Sequence, residues 1–347
     1  MIKRSLSLLL LFASVAFAQQ ESYDQLLRHW DYDHKAPLAV QESGVQDRDG
    51  IKVHDLSYAV PTGDRAASLG PNGGRVTAYL VVPPGKGPFP AVIYGHWCMP
   101  GSEMLNRTEF LDEAVVLARS GVIALLPDHV IARPGFEQSK EPLNTQQIDV
   151  LVQQVTNMRR GADLLLARKD VDAKRLAYAG HSCNAEVGGF LSGIDKRFKA
   201  VVLMAGPLSD EVTNKAPVYQ AYRQKIGPEK FDAFVAKYAW TDPGKYVSHS
   251  EGTPKLLQFG TEEPFLVPER AKQYLAYVSE PKTLKIYEAP HALNAEATRD
   301  RLSFLARELG VKTPDAKLIA AIPPLVQPPW PKPPGATDEK KDEKKDK

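Results

Sequence analysis

The sequence predicts an α/β fold: a mostly parallel sheet with helices on both faces, entered through an antiparallel hairpin at the N-terminal side. Three observations carry this expectation. Six short apolar runs, at residues 91–94, 122–126, 176–179, 200–204, 255–259 and 283–287, have the length and composition of buried strands. Helical periodicity lies between them; in 145–168, Ile148, Leu151, Val152, Val155, Met158, Ala162, Leu165 and Leu166 recur at intervals of three and four, which places them on one stripe. Strands that alternate with helices in this way become parallel neighbours, because each helix supplies the crossover and covers a face.

Taken in order, the chain opens on Lys3 and Arg4, the apolar stretch 5–17 and the small-residue site Ala16-Phe17-Ala18. This is the pattern of a secretory signal peptide, residues 1–18, and predicts a secreted or periplasmic protein. The apolar stretch is shorter than the roughly 20 residues a spanning helix needs, so no integral membrane segment is expected after its removal. An N-terminal arm, 19–50, precedes the main α/β domain, expected at 51–313. Residues 51–53 and 76–82 read as a hairpin joined by the Gly-rich turn 69–74. Helices are also expected at 113–120 and 268–278. The insertion 207–249 is rich in aromatics (Tyr219, Tyr222, Phe231, Phe234, Tyr238, Trp240, Tyr246) and long enough for two helices, which either cap a pocket or pack as core. The end, 314–347, holds seven prolines between 323 and 334 and then ten consecutive charged residues, 338–347. That composition predicts an extended spacer followed by a solvated tail.

Composition narrows the function classes. The 347 residues are 43% hydrophobic and 25% charged, as in ordinary globular proteins. Lys+Arg of 44 against Asp+Glu of 42 leaves a surplus of two, both in the signal segment, so the mature chain is formally neutral. Without a basic field, no nucleic-acid partner is expected.

The chemistry concentrates around Gly180-His181-Ser182-Cys183-Asn184-Ala185, between an expected strand and an expected helix. A serine on a sharp strand-to-helix turn projects its hydroxyl above the sheet, provided the flanking residues are small. Gly180 and Ala185 meet that requirement; Asn184 stands where a glycine is usual. A serine hydroxyl needs a base, and the base needs an acid to hold its tautomer, in the chain order Ser, acid, His. His291, just after the strand at 283–287, is the candidate base. Glu262 and Glu263 follow the strand at 255–259, and Glu263 is the favoured acid. Two backbone N–H groups must face the developing oxyanion; Cys183, after the nucleophile, and Trp97, in the loop 95–101, are the candidates. His96 suits a residue that braces this loop rather than a rival base.

These residues resemble the α/β-hydrolase superfamily, and within it the secreted branch similar to dienelactone hydrolases and acetyl-xylan-esterase-like proteins. The likeness covers about 32–311. It rests on Tyr32-Asp33, Ala36-Pro37-Leu38, Pro88-Phe89-Pro90 through His96, Pro127-Asp128, Gly180-His181-Ser182, Gly260-Thr261-Glu262-Glu263-Pro264 and His291. The resemblance implies a Ser182, Glu263, His291 triad, with the acid three residues after the glycine, and oxyanion donors at Trp97 and Cys183. Dienelactone hydrolases proper use a cysteine nucleophile, but a thiol at Cys183 would put His181 in the small-residue place. Cys98 and Cys183, the only two cysteines, either pair across the two oxyanion loops or remain as buried thiols. No metal-ligand spacing and no phosphate-cradling loop is found, so no cofactor and no metal are expected. The resulting expectation is a serine hydrolase of small-molecule carboxylic esters. A peptidase of prolyl-oligopeptidase type and a non-catalytic envelope-binding protein are the alternatives; the sequence leaves the oligomeric state open.

Overall fold

The computed structural model describes residues 21–263 and 266–330. The expected signal peptide and the charged end of the tail lie outside the described residues. Nine strands form one sheet: β1 Gln41–Arg48, β2 Ile51–Ala59, β3 Arg75–Val82, β4 Phe89–Gly95, β5 Ile123–Pro127, β6 Val171–His181, β7 Phe198–Met204, β8 Lys255–Gly260 and β9 Lys282–Tyr287. Their order across the sheet is β1-β2-β3-β5-β4-β6-β7-β8-β9. The pairs β1/β2, β2/β3 and β3/β5 are antiparallel, and every pair from β5/β4 to β8/β9 is parallel. The six apolar runs are β4 to β9, and the expected hairpin is β2 with β3.

The sheet begins at Gln41 rather than at residue 51. Strand β1 was not legible because seven of its eight residues are exposed: it is an edge strand with no face to bury, and so shows no alternation.

Eleven α-helices are described: α1 Tyr23–Arg28, α2 Leu111–Ala118, α3 Thr145–Leu166, α4 Cys183–Ile194, α5 Asp210–Asn214, α6 Pro217–Ile226, α7 Pro228–Lys237, α8 Gly244–Val247, α9 Pro268–Tyr274, α10 Ala295–Glu308 and α11 Ala316–Ala320. One core cluster joins the sheet to α3, α4 and α9, and a second joins its other face to α2, α10 and α11. Helix α3 starts where Asn144 accepts the Gln147 N–H, which satisfies one donor of the open first turn. Its predicted stripe is buried at Val152, Val155, Met158, Ala162 and Leu165. Polar Gln153, Gln154 and Asn157 are buried as well, linked in a chain from Gln153 to Asn157 to Gln154. The arm is docked onto α3: Arg159 donates to Trp30 O, Arg160 to His34 O and Ala36 O, and Tyr32 OH to Asp163.

The insertion serves in both expected ways. Tyr246 and Phe231 are buried and Trp240 packs against the core, whereas Tyr219 and Tyr222 on α6 line a cavity. The proline-rich segment has no regular secondary structure through residue 330, but it is docked rather than only a spacer: Gln327 Oε1 accepts the Ala292 N–H at 3.1 Å, and Trp330 lines the same cavity as Tyr219. A run with little periodic apolar content can still dock through single side chains, and composition does not register them.

Candidate active site

Ser182 sits between β6 and α4 with φ +57° and ψ −118°, a backbone region costly for any residue with a side chain. The surroundings hold it there: its N–H donates to Met204 O at 2.7 Å, and its C=O accepts from the Ala185 N–H at 2.9 Å. Gly180 is required, since a Cβ at that position would lie 2.0 Å from Asn184 O. Asn184, the departure from the usual glycine, is fully buried and fully used. Its Nδ2 donates to His96 O at 2.5 Å, its Oδ1 accepts from Gln154 Nε2 at 3.0 Å, and its backbone O accepts from Tyr178 OH at 2.7 Å. Room for it comes from the facing strand: a Cβ on Gly95 would stand 2.6 Å from the Asn184 Cβ. The elbow therefore keeps its shape with a larger residue because β4 gives up a side chain opposite.

His291 follows β9, and its Nδ1 lies 2.7 Å from Glu263 Oε1, with both side chains almost fully buried. Glu262 is exposed. Ser182, Glu263 and His291 line one cavity of about 330 Å³. No hydrogen bond joins Ser182 Oγ to His291 among the described residues; such contacts commonly tighten only when substrate is bound.

The loop after β4 corrects one expectation. The Trp97 N–H is not available as an oxyanion donor, because it donates to Glu109 Oε2 at 2.5 Å. The next amide, that of Cys98, carries no hydrogen bond among the described residues. Cys98 is joined to Cys183 by a disulfide that sets their Cα atoms 5.8 Å apart, so of the two readings of the cysteines the pair is found. The closed loop has a sequence separation of 85, for which chain entropy would supply roughly 4.5 kcal/mol. His96 braces the loop as expected. Its Nδ1 donates to Trp97 O at 2.7 Å and its Nε2 accepts from the His129 N–H at 2.8 Å. Burial holds its imidazole below the usual value, consistent with this neutral tautomer.

Glu109 was missed by sequence reasoning, since it lies in an irregular stretch with no motif or period to mark it. Its Oε1 is 2.6 Å from His181 Nδ1, and both side chains are 2% exposed. His181 Nε2 lies 2.9 Å from His291 O. A carbonyl can only accept, so Nε2 carries a proton, and a second proton lies between Nδ1 and the Glu109 carboxyl. Glu109 and His181 thus tie the oxyanion loop at Trp97 to the main chain of His291. The His181 and His291 rings stack at 5.1 Å, and Trp97 stacks on His181 at 5.3 Å.

Donor atoms of Cys98, His129 and Cys183 come within 4.8 Å of one another. The two sulfurs are bonded to each other, so neither offers a thiolate to a metal. Among the described residues, no helix is long and apolar enough to cross a membrane.

No family model and no curated relative matches this chain. Its backbone is similar to that of an acetyl xylan esterase from Paenibacillus sp. R4, with a TM-score of 0.62 at 19% identity, covering 83% of this chain and 99% of the other. An acetyl xylan esterase from Thermoanaerobacterium sp. JW/SL YS485 gives 0.62 at 16% identity over 82% and 93%. A glucuronoyl esterase from Solibacter usitatus gives 0.55 at 13% identity over 82% and 91%.

Proposed function

We propose that this chain, which has the α/β-hydrolase fold, is a secreted serine hydrolase that cleaves small-molecule carboxylic esters through an acyl-enzyme. The observation that carries the reading is the buried 2.7 Å contact of Glu263 with His291 Nδ1, in the cavity where Ser182 is held at φ +57°. A carboxylate on Nδ1 holds the tautomer whose Nε2 is free to accept a proton, which is the arrangement a serine nucleophile requires.

In this mechanism Ser182 Oγ attacks the ester carbon while His291 Nε2 takes the hydroxyl proton. Glu263 stabilises the imidazolium that forms. The carbonyl oxygen becomes an oxyanion held by the amides of Cys183 and Cys98, each donor worth about 3–4 kcal/mol in comparable sites. Cys98 takes the role expected of Trp97, whose amide is committed to Glu109. His291 then returns its proton to the departing alcohol, and a water activated by the same imidazole releases the acid. The esterase names of the structural neighbours support ester substrates, and the basic residues Lys3 and Arg4, the apolar stretch 5–17 and the small-residue site 16–18 support secretion.

The test is labelling with a fluorophosphonate together with hydrolysis of p-nitrophenyl acetate. Wild type should label and turn over, and Ser182→Ala should do neither. Glu263→Gln should lower kcat by about 10³–10⁴-fold and Glu262→Gln should not. A folded wild type that takes no label would end the serine reading.

A further inference from the structure

The proline-rich segment 323–330 brings Trp330 into the wall of the cavity that holds Ser182, and we propose that Trp330 is a specificity-determining residue favouring esters whose alcohol carries a flat aromatic ring. The inference rests on the ester-hydrolase reading and adds a substrate class to it.

The Trp330 ring stands 5.0 Å from that of His291 at 64° and shares the cavity with Ser182. His291 is the group that must protonate the departing alcohol. A side chain packed against His291 therefore meets the alcohol half of the ester rather than the acyl half. Around that half the cavity is walled by Pro207, Val218, Leu266, Tyr219 and Tyr222 besides Trp330. Its volume of about 330 Å³ exceeds what an acetyl group alone fills. Beyond the catalytic residues, Thr213 is a polar side chain on the lining, and its hydroxyl is already bonded to Ser209 O and Tyr274 OH. A sugar would find side-chain partners on these walls at the Tyr219 and Tyr222 hydroxyls alone and would leave its other hydroxyls unpaired, at a desolvation cost; an aromatic ring would instead stack on the walls.

The segment holds Trp330 in place rather than trailing it. Gln327 Oε1 accepts the Ala292 N–H, beside His291, at 3.1 Å. The prolines at 328 and 329 restrict the backbone between anchor and ring, so little freedom remains to be lost on binding. Val326, on the same segment, is 78% exposed and does not line this cavity.

The experiment measures kcat/KM of the full chain for benzyl acetate and propyl acetate, whose alcohols are of similar basicity, and for an acetylated methyl xyloside. Wild type should prefer benzyl acetate. Trp330→Ala should lower the benzyl-to-propyl ratio by about 5–20-fold, as expected for a lost aromatic pair and its buried area. Trp330→Phe should keep the ratio within about 3-fold, Gln327→Ala should lower it in part, and Val326→Ala should change nothing. Equal losses on both acetates in Trp330→Ala, a rise in the ratio, or a wild-type preference for the xyloside would each overturn the proposal. A wild type inert to every ester and to the fluorophosphonate is a different result, and would remove the ester-hydrolase reading underneath.

Discussion

Replacing Glu109 by alanine should damage both stability and turnover, because its carboxylate links the loop after β4 to His181 and, through His181, to the His291 main chain. It accepts the Trp97 N–H at 2.5 Å and meets His181 Nδ1 at 2.6 Å, in surroundings where both partners are buried. Alanine would leave two polar groups buried without partners, at about 1–3 kcal/mol each, so a loss of roughly 3–5 kcal/mol is expected. At about 2–4 °C per kcal/mol, Tm should fall by about 10 °C. A relaxed loop would also shift the Cys98 amide and the His291 ring, and displacement by about 1 Å costs on the order of 10²-fold in rate. Glutamine separates geometry from charge. Its carbonyl can accept from Trp97, its amide can donate to His181 Nδ1, and His181 Nε2 can still donate to His291 O. Glu109→Gln should therefore lose no more than about 1 kcal/mol and keep kcat/KM within about 10-fold. Thermal unfolding followed by circular dichroism, with p-nitrophenyl acetate kinetics on the same samples, reads both quantities. A Glu109→Ala protein that melts and turns over like wild type would refute the network; glutamine as harmful as alanine would show that charge, not hydrogen-bond geometry, matters.

Two further predictions concern the elbow and its setting. Gly95→Ala should cost about 1–3 kcal/mol by overpacking against Asn184, and Asn184→Gly a similar amount by orphaning His96 O and Gln154 Nε2. In the double variant the Gly95 penalty should shrink, giving a coupling of at least about 1 kcal/mol in a denaturant-unfolding cycle; strict additivity would mean the two residues do not compete for space. Glu186, on α4, is pushed up to about 8 by burial and by Asp210 and Asp242, and Asp210 to about 7 by burial and Asp242, from ordinary values of 4.5 and 3.8. Folding thus favours their protonated forms, so this stability is complete below the ordinary values of 3.8 and 4.5 and is lost progressively as pH rises to about 7 for Asp210 and about 8 for Glu186. Tm should fall by on the order of 5 °C between pH 6 and pH 9, and Glu186→Gln should flatten that slope; a slope unchanged in the variant would remove Glu186 as its source.

Much of the fold was legible because burial on both faces leaves a local record. Strands β4, β5, β7 and β8 and the second half of β6 are largely apolar and buried, and α3 repeats its stripe along its length. Strand β1 left none, since an exposed edge strand is held by main-chain pairing, which any sequence can supply. The motif at 180–185 placed Ser182, and the order of strands and loops nominated His291 and Glu263, because each stands at the end of a recognisable element. The Trp97 amide was misjudged: which amide in a loop is free depends on what else reaches it, and Glu109 reaches this one from a stretch without pattern. The same holds for Asn184, which reads as a defect until Gly95 is seen opposite, and for Trp330, which reads as part of a spacer until the chain folds it against His291. The sequence by itself determined the alternation of strands and helices and the chemistry available at their ends, since both are properties of neighbours along the chain. Tertiary structure alone decided which donors are spent, whether the two cysteines pair and what walls the cavity, since those are contacts between residues that only the packed fold brings together.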